Sequence, residues 1–186
     1  MAVNEKTKAG NTEDLVLQTE KQKLTLRGMQ AGMAATEAEL AQKNAALKTA
    51  EELRKSLRPN EADVFVENNA VKVRLKGVQF SPNSATINKK SASLLDRVDK
   101  VLGTVSASSI AVEGHTDSTG SPETNREVSA KRAEAVQSYM VNKGSISSNQ
   151  IKAIGKGQEN PISDNKTSRG RAENRRIDLV IEPKVE

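Results

Sequence analysis

The first proline of the chain, Pro59, separates two parts whose apolar residues repeat with different periods. From Asp14 to Leu57 there is no proline, and the stretch is rich in Ala, Glu, Lys, Leu and Gln, which are good helix formers. Proline cannot continue a helix, and it disfavours helical backbone for the residue before it. We therefore predict one long helix over residues 14–58 that ends at Pro59.

Apolar residues within this predicted helix follow a seven-residue repeat. One position of the repeat holds Leu26, Met33, Leu40, Leu47 and Arg54, and the other holds Met29, Thr36, Lys43, Ala50 and Leu57. Most of these residues are apolar, which predicts an amphipathic helix. Two interpretations stay open, a spacer helix and a coiled coil that joins two copies into a homodimer. The polar residues 1–13 are predicted to form a disordered lead-in.

Beyond Pro59 the pattern changes to that of strands and shorter helices. Residues 64–66 and 71–75 flank Asn68-Asn69, which is the pattern of a β-hairpin, and residues 78–80 extend its second strand in this interpretation. The predicted elements that follow are a helix at 88–102, a strand at 109–113, a helix at 122–142 and strands at 151–154 and 176–181. This β-βαβαββ order predicts an α+β domain over residues 63–184, with two helices on one face of a mixed sheet.

The composition excludes several kinds of site. The chain has no Cys and one His, so it has neither a disulfide framework nor a metal site of the usual His/Cys kind, and we expect no cofactor. Residues 1–59 carry 10 basic and 8 acidic side chains, and residues 60–186 carry 19 and 16. Because charge is spread evenly and only Phe65, Phe80 and Tyr139 are aromatic, we expect no nucleic-acid partner.

Three polar segments are candidates for a binding site. The first is the glycine-bounded loop Gly114-His-Thr-Asp-Ser-Thr-Gly120, directly after a predicted strand. Its glycines would let the backbone turn sharply and expose its amides, with the Asp117 carboxylate at the tip. The others are residues 125–133, on the following helix, and residues 170–176, before the last strand.

Taken together and in order, these segments resemble the OmpA-like peptidoglycan-binding domain, which occurs in outer-membrane porins, the Pal lipoprotein and the MotB stator protein. The resemblance rests on GHTDSTG, N-x-x-x-S-x-x-R-A, G-x-G-x-x-x-P, N-x-x-x-x-G-R-x-x-N-R-R and the strand end at residues 78–81. It implies a βαβαββ sandwich of two helices on a mixed sheet. It also implies non-catalytic binding of peptidoglycan.

The resemblance further implies recognition of meso-diaminopimelate, whose free end is zwitterionic. Asp117 would accept hydrogen bonds from its ammonium group, and Arg132 would bind its carboxylate through two parallel hydrogen bonds. Backbone amides of residues 116–118 would share that carboxylate, and His115 is expected to have a packing role. The remaining expected pocket residues are Thr116, Ser118, Asn125, Phe80, Arg171 and Arg176.

Catalysis is not expected, because no second Asp or Glu accompanies Asp117 in a matched motif. The alternative function keeps the fold but uses it for protein docking, with the N-terminal helix as the partner or dimerisation surface. No run of about 18 apolar residues occurs, so we expect no membrane span. We expect a periplasmic protein associated with the outer membrane, whose leader or anchor would precede Met1.

Overall fold

The computed structural model describes residues 3–78, 80 and 84–185, with side chains from Leu17 onward. The helices are α1 (Val3–Ser56), α2 (Lys89–Leu102), α3 (Pro122–Lys143) and α4 (Ser168–Asn174). The strands are β1 (Ala62–Glu67), β2 (Ala70–Leu75), β3 (Ala107–Gly114), β4 (Ile151–Gly155) and β5 (Ile177–Pro183). The chain divides into two units, Met1–Ala41 and Gln42–Glu186.

The first unit consists of helix α1 as far as Ala41. Its side chains from Leu17 to Leu40 are exposed, the large apolar ones included. The helix begins at Val3, so residues 3–13 are helical where the composition predicted a disordered lead-in. These residues contain no proline, and Glu, Lys and Ala among them favour helix, which is the physical reason for the difference.

The second unit contains a five-stranded sheet in the order β1-β2-β5-β3-β4. Only the β3–β4 pair is parallel among the described strands; the other neighbours are antiparallel. Asn68 and Asn69 have φ values of 50° and 62°, so the asparagine pair forms the tight hairpin turn that it predicted. Strand β2 ends at Leu75, where the ladders to β1 and β5 also end. Val78 and Phe80 therefore lie outside the strand, and Gln79 and Ser81 lie outside the described residues.

Local signals fix the ends of the two helices that pack on the sheet. The Asn88 side chain accepts a hydrogen bond from the Ser91 backbone and caps α2. Ser121 caps α3 in the same way, and Pro122 occupies its first turn. Gly144 ends α3 in the left-handed conformation, at φ 86°.

Alternate residues of the central strands point to these helices and form the core. The buried apolar residues of the sheet include Val71, Val73, Leu75, Ile110, Val112, Ile177, Leu179 and Ile181. They form one cluster with Leu95 and Val98 of α2 and with Val136 and Met140 of α3. The predicted α+β architecture of two helices on a mixed sheet, behind a long helix, is confirmed.

The last turns of α1 belong to this core. Ala46, Ala50, Leu53 and Leu57 are buried within the same cluster, and the guanidinium of Arg54 donates to the Val64 carbonyl at 2.7 Å. The compact unit therefore starts at Gln42, earlier than the boundary predicted at residue 63. The buried residues follow helical spacing, and the two alanines leave room for close packing.

Candidate functional site

The loop between β3 and α3 holds Asp117 almost completely buried. Only 6% of this residue is exposed. One carboxylate oxygen accepts the Thr119 N–H at 2.8 Å, and the other accepts a guanidinium N–H of Arg175 at 2.6 Å. Burial alone would raise the pKa of Asp117, but these hydrogen bonds and the charge of Arg175 lower it below its ordinary value. The group is therefore an anion at neutral pH.

Helix α3 approaches the end of β3 closely enough to exclude a side chain at Gly114. A Cβ atom at that position would lie 2.1 Å from the Ser129 carbonyl oxygen. The Ser129 hydroxyl also accepts the Gly157 N–H at 2.9 Å, which joins α3 to the loop after β4. The glycine that opens the predicted loop is thus required for packing rather than for a sharp turn, and this packing sets where α3 presents its polar side chains.

Two of those side chains face the loop. The Asn125 amide donates to the Gln158 side chain at 2.9 Å and to the Asp117 carbonyl at 3.4 Å. Arg132 is 5% exposed, and its Nε donates to the Ser84 carbonyl at 3.1 Å. Its guanidinium lies over the Phe80 ring, 5.2 Å from the centroid.

Arg132 also responds electrostatically to its neighbours. Burial and then the charge of Arg175 lower the pKa of Arg132, while the charge of Asp117 opposes this shift. The guanidinium stays charged in any case, because the pKa of arginine is far above neutral pH. Asp117 and Arg132 are therefore a buried anion and a buried cation that interact across one site.

These groups line a cavity of about 620 Å³. Six of the eight predicted site residues contribute to its wall: Phe80, Thr116, Asp117, Asn125, Arg132 and Arg171. Its other lining residues are Thr119, Gly120, Thr124, Val128 and Arg175. Asp117 is the only carboxylate among the described residues that line it.

The structure does not bring the two remaining predicted residues into this wall. Ser118 is exposed, and its backbone N–H donates to the Asn165 side chain at 3.3 Å. Arg176 is buried behind the site, where its Nε donates to Asp178 at 3.0 Å and its other nitrogens donate to the Asn160 and Asn174 carbonyls. It lines an adjoining recess of about 150 Å³ instead.

Two of the three loop amides predicted to share the ligand's carboxylate, those of Thr116 and Ser118, have partners within the protein. The Thr116 N–H donates to the Gly157 carbonyl at 2.9 Å, and the Ser118 N–H is held by Asn165, so neither points to a ligand carboxylate. The Thr116 hydroxyl, by contrast, is buried and has no hydrogen-bond partner among the described residues. Thr116 therefore contributes its side chain to the wall rather than its amide.

Sequence reasoning missed Arg175, which completes the site through its ion pair with Asp117. The adjacent arginines Arg175 and Arg176 look alike in sequence, but the short helix α4 ends at Asn174 and the chain then enters β5, so they point in different directions. The buried Asn174 side chain fixes this turn, accepting the Ile162 and Ser163 N–H groups at 2.8 and 3.0 Å. In the sequence, the pair of adjacent arginines after a glycine-containing polar segment was the feature from which Arg175 could have been recognised.

His115 has the packing environment predicted for it. It is 3% exposed, and its Nε2 lies 3.8 Å from an Asp178 oxygen and 4.0 Å from a Glu113 oxygen. Burial, and then the charge of Arg176, lower the pKa of His115 to about 4, so the ring is neutral at neutral pH.

No cluster of three or more His, Cys, Asp or Glu side chains that could hold a metal ion occurs in the described part of the chain. Within the same residues, no helix combines the length and apolar character needed to cross a membrane.

Two relatives show what the sequence is similar to. Outer membrane protein A of Bordetella avium is 39% identical over 102 residues, which are 55% of this chain and 52% of that protein. Peptidoglycan-binding protein ArfA of Mycobacterium tuberculosis is 35% identical over 104 residues, which are 56% of this chain and 32% of that protein. The chain thus spans about half of the first relative and about a third of the second.

Solved structures show the same fold. A MotB-like protein from Desulfovibrio vulgaris superposes with a TM-score of 0.66 at 22% identity, over 80% of this chain and 98% of that one. The cell wall anchor of the T6SS from Pseudomonas aeruginosa gives 0.63 at 22% identity, over 73% and 97%. The model of the OmpA family matches residues 79–175, which is more than half of the chain. The resemblance carried by the ordered motifs is confirmed, and the chain belongs to the OmpA family.

Proposed function

We propose that residues 42–186 bind peptidoglycan without catalysis, through the meso-diaminopimelate of its peptide stem. One observation carries the proposal: a buried carboxylate, Asp117, and a buried guanidinium, Arg132, line the same open cavity. A zwitterionic end supplies an ammonium group for the first and a carboxylate for the second. The name of the mycobacterial relative, a peptidoglycan-binding protein, supports this choice of ligand.

The ligand's ammonium would share or take over the place that the Arg175 guanidinium holds against Asp117. Arg175 is the more exposed partner of that pair, with 43% of its side chain exposed against 9% for Asp117. An arginine that is displaced from Asp117 stays at the cavity wall, where it can face the ligand's carboxylate. Binding would therefore exchange one charge-assisted hydrogen bond for others without leaving Asp117 unpaired.

The absence of catalysis rests on the same lining residues. Hydrolysis of a glycosidic bond by the usual mechanism requires two carboxyl groups on either side of the bond. The described part of the cavity wall offers only Asp117, and its lowered pKa makes it unsuitable as a general acid. The proposed role is that of an anchor.

We also propose a periplasmic location with an association to the outer membrane. The supporting observation is that relatives carry the names of outer membrane proteins and outer-membrane lipoproteins, such as YfiB of Pseudomonas aeruginosa at 35% identity over 104 residues. Cell fractionation of the native host tests this point, and recovery of the protein in the cytosolic fraction would refute it.

The experiment for peptidoglycan binding is co-sedimentation with purified sacculi. We expect the wild type to pellet with sacculi whose stems contain diaminopimelate, and Asp117→Ala and Arg132→Ala to stay in the supernatant. Loss of one charge-assisted hydrogen bond weakens binding by about 10- to 100-fold. Lys131→Ala is the matched control, because this neighbour on α3 is exposed, pairs with Glu127 and does not line the cavity.

A change on the ligand side makes the test specific. Sacculi with lysine in place of diaminopimelate keep the ammonium group but lack the carboxylate at that end, so they should retain little protein. Melting curves of the two alanine variants show whether they are folded. Equal retention of wild type, Asp117→Ala and Arg132→Ala would show that this cavity is not the binding site.

The alternative function, docking through α1, has one observation in its favour. Leu26, Met29, Met33 and Leu40 lie at heptad spacing, and each is more than half exposed. We propose a second copy of the chain as the partner, because the same repeat on another copy would cover these residues. Sedimentation equilibrium should then show a dimer that Met33→Glu dissociates, and a wild type that is monomeric at high concentration would exclude this function.

A further inference from the structure

The charges around the cavity are unequal. Its described wall carries one carboxylate, Asp117, and three guanidinium groups, those of Arg132, Arg171 and Arg175. A zwitterionic end adds one positive and one negative charge and leaves this balance unchanged. The site would therefore keep an excess of two positive charges after the end group proposed above has bound.

The excess of positive charge has an electrostatic effect on Arg132. The charge of Arg175 contributes, after burial, to lowering the pKa of Arg132, which is what repulsion between two like charges produces. Salt screens such a pair only weakly, because Arg132 is 95% removed from solvent. An additional anion in the cavity would relieve this repulsion.

Arg171 is the group best placed to receive that anion. One terminal nitrogen of its guanidinium donates to the Asn165 and Lys166 carbonyls, at 3.0 and 3.1 Å, which holds the side chain at the cavity wall. Both partners are neutral. Among the described residues, no carboxylate lies within 4.0 Å of its nitrogens, in contrast to Arg175 and Arg176, which each have an acidic partner.

We propose that the site selects a ligand with two carboxylates: the one at the zwitterionic end, bound by Arg132, and a second on the same peptide stem, bound by Arg171. This inference rests on the proposed function and names the class of stem that the site prefers. Two groups of a stem have the required chemistry. They are the α-carboxylate of its γ-linked glutamate and the C-terminal main-chain carboxylate of the stem, which belongs to diaminopimelate in a tripeptide stem.

Three synthetic peptides distinguish these sources in an isothermal titration of the full chain. The parent is L-Ala-γ-D-Glu-meso-diaminopimelate, and each of the other two carries a carboxamide in place of one of the two candidate carboxylates. We expect one amide to bind the wild type about tenfold more weakly than the parent, as the loss of one charge-assisted hydrogen bond implies. The peptide that shows the loss identifies the carboxylate.

The variant Arg171→Gln should bind that amide and the parent with equal affinity, and Arg171→Lys should restore part of the difference. The readout is the ratio of two affinities on the same protein, so a small change in the stability of a variant does not affect it. Arg169→Gln is the matched control, because Arg169 is 90% exposed on the same helix, pairs with Glu173 and does not line this cavity.

The outcomes separate this inference from the proposed function. If wild type binds the parent and both amides within twofold of one another, selection for a second carboxylate is wrong while binding of the zwitterionic end stands. If Arg171→Gln keeps the full discrimination, Arg171 is not the receiving group. If wild type binds neither the parent peptide nor sacculi, the proposed function fails and this inference fails with it.

Discussion

Replacing Gly114 with alanine tests whether the contact between β3 and α3 holds the site together. Gly114 is the last residue of β3, and its backbone is that of a strand, so alanine meets no conformational penalty there. The penalty is steric, since the new Cβ would lie 2.1 Å from the Ser129 carbonyl oxygen and 3.0 Å from its carbon.

The size of the effect follows from these distances. Non-bonded heavy atoms are comfortable at about 3.5 Å, so an oxygen at 2.1 Å requires α3 to move away by roughly 1.4 Å. Overpacking of a close contact costs about 1–3 kcal/mol, and a clash with the backbone of α3, which cannot rotate away as a side chain can, places this case near 3 kcal/mol. For a unit of this size, about 3 kcal/mol lowers the melting temperature by about 6–12 °C.

Differential scanning calorimetry measures the shift, and Gly144→Ala is the control. Gly144 has no atom within 4 Å of an added Cβ, but its φ of 86° is unfavourable for alanine, so that variant should lose only about 1–2 kcal/mol. The displaced helix should also weaken retention by sacculi at 4 °C, because α3 carries Arg132. If Gly114→Ala melts within 2 °C of the wild type, the packing argument is refuted.

Two further predictions concern the core and the pH dependence of stability. Leu53→Ala should lower the free energy of unfolding, measured in urea, by about 2–5 kcal/mol, because Leu53 is fully buried. Leu40 is 57% exposed on the same helix, so Leu40→Ala should lower it by less than about 0.5 kcal/mol. Equal losses in the two variants would show that the end of α1 is not part of the core. The second prediction concerns His115, whose pKa of about 4 in the folded state lies below the ordinary value of 6.5. The unfolded state therefore binds the proton first, and stability falls as pH drops from 6.5 to 4. Between pH 7 and pH 4.5 the wild type should lose about 2–3 kcal/mol more than His115→Gln, and parallel urea curves for the two proteins would contradict this.

Several features of the fold are local and could be predicted from the sequence. The Asn68-Asn69 pair adopts positive φ because asparagine tolerates the left-handed region, so these two residues are enough to predict the hairpin turn. The ends of α3 are also set by local chemistry, since the Ser121 hydroxyl accepts the Thr124 N–H and Gly144 adopts the left-handed conformation. The ordered motifs likewise sufficed for the resemblance to the family, because their order and spacing are read directly from the chain.

Other features could not be predicted, because they are too short to show a periodic pattern or because they depend on distant contacts. Helix α4 spans seven residues, too few for a periodic pattern to be recognised, and its polar sequence reads as a loop. Of the buried residues at the end of α1 and just after it, Ala50 and Leu57 lie on the predicted seven-residue repeat, whereas Ala46 and Leu53 do not, so their burial in the core could not be foreseen.

The element order in the sequence thus determined the fold class, and the ordered motifs, through the resemblance to the family, pointed to Asp117 and Arg132 as the two opposite charges of the site. Only the tertiary structure decided which groups surround them. Arg175 rather than Arg176 reaches Asp117, and the loop amides at Thr116 and Ser118 are already bonded. The physical reason is that hydrogen bonds and ion pairs form between elements far apart in sequence, and their partners are fixed only when α4, β5 and the loop pack together.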